Sequence, residues 1–230
     1  MVLRVDEVYE SVQGEGPRVG RPTVFLRFGG CNLRCPGWPC DTQHAIDPAF
    51  RMQWVKSSVT EVMDRVSEAA GEGTHSVCLT GGEPFLQPSK DLFELCRGLA
   101  TRGFRTIECF SNGTLEYPEW AFDWINFVMD WKLPGSGEDY ANEMRLQNLK
   151  HLGEGDAVKF VIKDVNDFNH ATNLYEEFLK DRPDLEVFYG VAWGHLDNGT
   201  LVEWVLNDGL PWRLNVQVHN HIWDRNKRGI

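Results

Sequence analysis

The sequence predicts an α/β protein built on a parallel sheet, open or closed as a barrel, and two observations carry that expectation. Short apolar, β-branched runs alternate with amphipathic helical patterns along the chain, which is the signature of βαβ units. The polar and glycine-rich irregularities then fall just after the strand candidates, where barrels and open α/β sheets build their active sites.

Taken in order, an extended N-terminal segment runs into "SVQGEG" (11–16) and is followed by a strand over 23–28. A helix is expected over 57–70, because Val59, Val62, Met63, Val66, Ala69 and Ala70 share one face and Ser58 with Glu61 forms a capping box. A strand over 76–80 precedes a second helix in 89–103, where Leu92, Phe93, Cys96, Leu99 and Ala100 share a face and Gly103 supplies a stop. Strands at 105–110 and 125–130 lead to a helix over 138–150. A strand at 157–162, a helix over 167–180, a strand at 186–191, a helix over 200–207 and a last strand at 213–218 complete the pattern. No low-complexity tract or linker interrupts it, so one domain over 1–230 is expected.

The clusters after the strands are "FGGCNLRCPGWPCDT" (28–42), "TGGEP" (80–84), "SNGT" (111–114), "DWK" (130–132) and "QVHNH" (217–221). Five such clusters on one rim point to an enzyme. The chain has 230 residues, 23 basic against 34 acidic, and a net charge of −11. That balance argues against a broad nucleic-acid-binding face. Residues 1–10 lack a basic start followed by an apolar core, and no apolar run approaches a membrane span. A soluble, cytoplasmic protein without nucleic-acid or membrane partners is expected. Of six cysteines, Cys78, Cys96 and Cys109 sit singly in apolar surroundings, where a free cysteine packs as a small hydrophobe.

Cys31, Cys35 and Cys40 are different, because Pro36, Gly37 and Pro39 can fold their loop so that three thiolates face one centre. Three chemistries compete. A structural zinc site would take His44 as fourth ligand. A redox disulfide lacks the close CxxC spacing. A [4Fe–4S] cluster on three cysteines would leave one iron open, since four is the usual number.

The three-cysteine loop after one strand, "GGEP" after the next and "NGT" after the third resemble the radical SAM superfamily. More narrowly, "SVQGEG" (11–16), "GRPTVFLRFGGCNLRC" (20–35), "CDT" (40–42), "TGGEP" (80–84), "VKFVI" (158–162) and "QVH" (217–219) are similar to the 7-carboxy-7-deazaguanine synthases, from about residue 5 to the C-terminus. The resemblance implies a modified, partial (β/α) barrel of the radical SAM type. It implies a [4Fe–4S] cluster on Cys31, Cys35 and Cys40, with S-adenosylmethionine (SAM) on the open iron. Pro39, Asp41, Gly82, Glu83, Ser111, Asp130 and Lys132 would contact SAM, with Asn112 a further candidate. Val12, Gln13, Gly14, Glu15, Arg27, Thr80, His219 and Ile230 would hold a pterin substrate, and Thr42 a Mg²⁺ ion. An electron donor such as flavodoxin or ferredoxin and a homodimer are implied as partners.

Each motif has a plainer reading. GGEP alone is a tight turn, QGEG a surface turn, Thr42 a cap, the C-terminus a frayed tail, and Asp130 with Lys132 a salt bridge. Arg27, within an apolar strand, needs a carboxylate from the substrate or from the chain. The sequence also departs from the family. Cys35-x4-Cys40 is two residues longer than the usual spacing, Asp130 and Trp131 replace Ser-Pro, and Phe110 stands where a glutamate is usual, with Glu108 two residues earlier. "GVAWG" (190–194) replaces a Gln-Pro and has no assigned SAM contact. The rivals are a glycyl-radical activating enzyme, which shares the cluster and GGEP, and a zinc-stabilised binding module.

Overall fold

A computed structural model describes residues 2–38, 40–139, 142–224 and 227–229. The chain forms β1 (Leu3–Val12), β2 (Pro22–Phe28), α1 (Gln43–Ile46), β3 (Val55–Ser57), α2 (Val59–Ala69), β4 (Ser76–Gly81), α3 (Ser89–Thr101) and β5 (Thr106–Ser111). It continues with β6 (Asn126–Trp131), α4 (Asn142–Leu149), β7 (Ala157–Ile162), α5 (Val165–Leu174), β8 (Glu186–Val191), α6 (Asn198–Asn207), β9 (Arg213–Leu214) and α7 (His219–Ile222). One sheet runs β3-β1-β2-β4-β5-β6-β7-β8-β9. Each pair from β2 to β9 is parallel, while β1 runs antiparallel to both its neighbours.

Period-two alternation along the strands sorts the side chains. Val24, Leu26, Val77, Leu79, Phe127, Met129, Val158 and Phe160 form the main core. Against it α2 lays Val62 and Val66, and α3 lays Leu92, Leu95, Cys96 and Leu99. Burying each leucine contributes about 2 kcal/mol. The alternate residues Phe25, Arg27, Thr80, Phe110, Asp130 and Lys159 line a cavity instead. The capping box of α2 forms as expected, and Gly103 takes a φ of +94° just beyond α3.

Several boundaries differ from the sequence expectation; the helix expected over 138–150 is described as Asn142–Leu149, with Glu138 outside it, and three other differences change the element more. The extended N-terminal segment is a ten-residue strand, β1. The last strand pairs only through Arg213 and Leu214, because Gln217 turns to a φ of +55° and His219 opens α7. The pattern over 167–180 is α-helical to Leu174 and then widens into a π turn over Tyr175–Leu179.

The sheet stays open, since β9 pairs with β8 alone. Loops bridge the gap at the rim: Gly16 N–H donates to Asn215 Oδ1 at 3.0 Å and Val218 N–H to Gly14 O at 3.0 Å. Parallel register leaves the carboxyl ends of β2 and β4 to β8 along one edge, which makes this rim the place for chemistry. No helix among the described residues is long and apolar enough to cross a membrane.

Candidate active site

A cavity of about 820 Å³ opens at the rim. It brings together the three loop cysteines with Asp41 and Thr42, Gly82 and Ser111 from the ends of β4 and β5, and Asp130 and Lys132 from β6. Val12, Gln13, Gly14 and Glu15 face them with Arg27, Thr80 and His219. Glu83 is not among the lining residues, and Pro39 and Ile230 lie outside the described residues.

The cysteine loop leaves β2 through Gly29 and Gly30. Leu33 N–H donates to Cys31 Sγ at 3.4 Å, and Cys40 Sγ lies 3.5 Å from Thr42 Oγ1. A tetrahedral zinc ion would draw its sulfurs to about 3.8 Å from one another. The three sulfurs do not gather within 4.8 Å of one another, and His44 joins Asp6 and Glu7 instead, with Nδ1 2.6 Å from Asp6 Oδ2. No pair of these cysteines is bridged. Three soft donors lining one cavity, without His44 as a fourth, suit an iron–sulfide group that keeps one iron open. Burial pushes the Cys31 thiol up to about 11 and raises that of Cys35, so ligation must displace protons. Cys35 itself sits at a φ of +45°, a left-handed conformation costing about 1 kcal/mol for a residue with a Cβ.

Gly82 donates its N–H to Phe28 O at 3.0 Å, and a Cβ there would stand 1.9 Å from Gly30 O. Only glycine permits the β4 loop to lie against the cysteine loop. Glu83 turns inward. Its carboxylate accepts from Ser111 Oγ at 2.9 Å, Asn112 N–H at 2.8 Å and Phe85 N–H at 3.1 Å, so it ties the ends of β4 and β5 together rather than facing a ligand. Burial outweighs those bonds and raises its pKa to about 7. Asn112 is thereby aimed at the cysteine loop, donating to Asn32 Oδ1 at 3.0 Å and to Cys31 Sγ at 3.8 Å.

A chain of charges crosses the cavity wall. Gln217 Nε2 donates to Glu15 Oε1 at 2.6 Å, and Lys159 Nζ binds Glu15 Oε2 at 2.8 Å and Asp130 Oδ2 at 3.3 Å. Lys132 Nζ reaches the same Asp130 oxygen at 2.9 Å. Burial works against charge at Asp130, but the two lysines overcome it and hold its carboxyl at about 2. Its other oxygen, Oδ1, is buried without a hydrogen-bond partner among the described residues, an acceptor suited to an ammonium or hydroxyl of a bound molecule. Lys159, 7 % exposed, was not singled out in the sequence. A lysine within an apolar strand was the available signal.

Arg27 finds its carboxylate inside the chain. Glu7 stands opposite it in the β1–β2 register, 3.2 Å from Nε, and Nη2 donates to the Tyr9 hydroxyl at 2.8 Å. Its burial therefore demands no substrate carboxylate, although Nη1 has no partner among the described residues. Glu108 accepts from Gln13 Nε2 at 2.5 Å and Arg18 Nη1 at 3.1 Å, which holds Gln13 in place from outside the cavity lining. The His219 ring packs on Gly14, where a Cβ would stand 2.3 Å from Nδ1, and burial lowers its pKa. Gly190 to Trp193 also line the cavity.

Comparison with known proteins agrees with this geometry. Residues 12–151 match the family of 4Fe-4S single cluster domains. A 7-carboxy-7-deazaguanine synthase from Clostridium acetobutylicum is 31% identical over 100% of both chains. One from Methanospirillum hungatei is 35% identical over 96% of this chain and 85% of its own. The crystal structure of QueE from Escherichia coli superposes with a TM-score of 0.72 at 22% identity, over 94% of each chain, and shows the same fold. Full-length similarity at this level, joined to three cysteines lining one cavity on the rim of a partial barrel, places the chain in the 7-carboxy-7-deazaguanine synthase family.

Proposed function

We propose that this chain is a radical SAM enzyme that converts 6-carboxy-5,6,7,8-tetrahydropterin to 7-carboxy-7-deazaguanine with loss of ammonia. The observation that carries the reading is the meeting of the cysteine loop and the QGEG loop in one cavity, in a chain similar to named synthases along its whole length. When bound, a reduced [4Fe–4S] cluster with SAM would supply the radical chemistry needed to activate a C–H bond of the pterin. The protein's part is position and exclusion of water.

Cys31, Cys35 and Cys40 hold the cluster, and Gly82 lets backbone approach SAM. Ser111, Asn112 and Asp130 offer acceptors for its amino and ribose groups, and Lys132 offers a cation to its carboxylate. On the facing wall, the Gln13 and Glu15 side chains and the Gly14 backbone read the donor–acceptor edge of the pterin. Burial favours uncharged His219, which offers one ring nitrogen as acceptor and the other as donor. Arg27 Nη1 and Thr80 complete the pocket on the substrate side, with Val12 as an apolar wall. Thr42, whose hydroxyl lies 3.3 Å from Gly81 O, would share a Mg²⁺ ion with substrate and water. The enzyme works in the cytoplasm as a homodimer fed by flavodoxin or ferredoxin, without a nucleic-acid or membrane partner. The full-length relatives are named as synthases, which favours this reading over an activating enzyme.

Anaerobic incubation of the reconstituted protein with carboxytetrahydropterin, SAM and reductant should give the deazaguanine by mass analysis. SAM cleavage without that product would overturn the substrate, and absence of any SAM cleavage would overturn the class.

A further inference from the structure

The cysteine loop carries two residues more than the family spacing between Cys35 and Cys40, and a turn from elsewhere in the chain grips its first half. Arg34 N–H and Cys35 N–H both donate to Glu138 Oε1, at 2.6 and 3.1 Å. Gly37 N–H donates to Ser136 O at 3.0 Å, and Lys163 Nζ donates to Gly37 O at 2.9 Å. A Cβ on Gly37 would stand 1.7 Å from Gly135 O, and one on Gly137 would meet Pro36 Cγ at 2.7 Å. Residues 34–37 therefore lie flat against 135–138.

The gripping turn is itself anchored. Asp167 accepts from Gly135 N–H at 2.7 Å and from Lys163 N–H at 3.0 Å. Arg145, fully buried, donates to Glu138 O at 3.2 Å and to Asn112 O at 3.1 Å. Glu138 is 6 % exposed. A carboxylate so placed fixes two consecutive N–H vectors, one of them on a cysteine held in the left-handed region. Partners one shell outside the ligands commonly change metal affinity 10–100-fold when lost.

We propose that Glu138 is the positioning residue of the iron–sulfur site, holding Cys35 in ligating geometry where the longer loop would otherwise let it drift. This rests on the reading that Cys31, Cys35 and Cys40 carry the cluster. The test is the rate at which the full chain, reconstituted anaerobically with iron and sulfide, loses its visible absorbance to an iron chelator. Glu138→Ala should lose it about tenfold faster or more, while the apo-protein keeps its cooperative thermal transition. Glu138→Gln should stay near the wild-type rate, because its amide oxygen can accept the same two N–H groups. Gly37→Ala should speed the loss with Glu138 intact, since it pushes the loop off the turn.

Wild-type loss rates in Glu138→Ala, or equal losses in Glu138→Gln and Glu138→Ala, would overturn the proposal. If Glu138→Ala does not fold, a wild-type rate in Gly37→Ala overturns it. A wild-type chain that takes up no iron would instead sink the cluster assignment, and this inference with it.

Discussion

Glu15, in the loop after β1, and Glu83, in the loop after β4, both give up water at the rim of the same cavity, yet they meet different partners. Glu15 faces the ammonium of Lys159 and the amide of Gln217, and their attraction outweighs burial and lowers its pKa. Glu83 hydrogen-bonds only to neutral donors, two backbone N–H groups and a hydroxyl, with Lys132 the smallest of its attractions, and burial raises its pKa to about 7. A cation keeps a buried carboxylate charged, whereas neutral donors do so only in part. Glu15 is thus favoured as an anion on the ligand wall, and Glu83 is a tie between strand ends whose charge burial disfavours.

The largest effect should come from the loop that both walls serve. Replacing Cys31, Cys35 or Cys40 by alanine should abolish product formation while the apo-protein remains folded, checked by anaerobic turnover and circular dichroism. Next comes the cation that sets Glu15 apart. Lys159→Met would leave Glu15 without its cation while Asp130 keeps Lys132, and removing one member of a buried ion pair costs about 3–5 kcal/mol. Denaturant unfolding of the apo-protein should report that loss, with Lys159→Arg recovering part of it.

Glu15→Gln should weaken pterin binding by about tenfold or more, because a charge-assisted bond contributes roughly 1.5–3 kcal/mol, and should leave the SAM KM nearly unchanged. Steady-state kinetics with each substrate varied in turn separates the two. A rise confined to SAM would reverse the assignment of the walls.

Glu83 supplies the pH test. Its pKa rises from the usual 4.5 to about 7 on folding, so the folded state binds the extra proton. That contribution is complete below pH 4.5 and is lost as pH rises through about 7. Apo-protein stability should therefore fall across this window by an amount on the order of 3 kcal/mol, and Glu83→Gln should remove that part of the slope. Asp130 runs the other way. Its stabilising ionisation is present above the usual 3.8 and fades as pH falls through about 2, worth about 2 kcal/mol. Asp130→Asn should flatten that acid limb.

The parallel strands were legible because both the core face and the strand ends left local marks: β-branched runs, then glycine or polar clusters. β1 was legible only as an extended segment, since Glu7 and Tyr9 on its cavity face interrupt the apolar pattern that marks strands. β3, three residues long, leaves no pattern at all. For the site, the clusters after each strand indicated where to look, but not which way side chains turn. Glu83 and Glu15 look alike in sequence and differ only through partners brought from other strands. Lys159 stands 144 positions from Glu15, and Glu138 stands 103 from Cys35. Local spacing carries nothing of such pairings.

The most direct test of the whole account is electron paramagnetic resonance of the reduced, reconstituted protein with and without SAM. A [4Fe–4S] signal whose g values shift when SAM is added is the expected result, because an iron without a cysteine must take the added ligand. A colourless protein, or a cluster signal that SAM leaves unaltered, would contradict it.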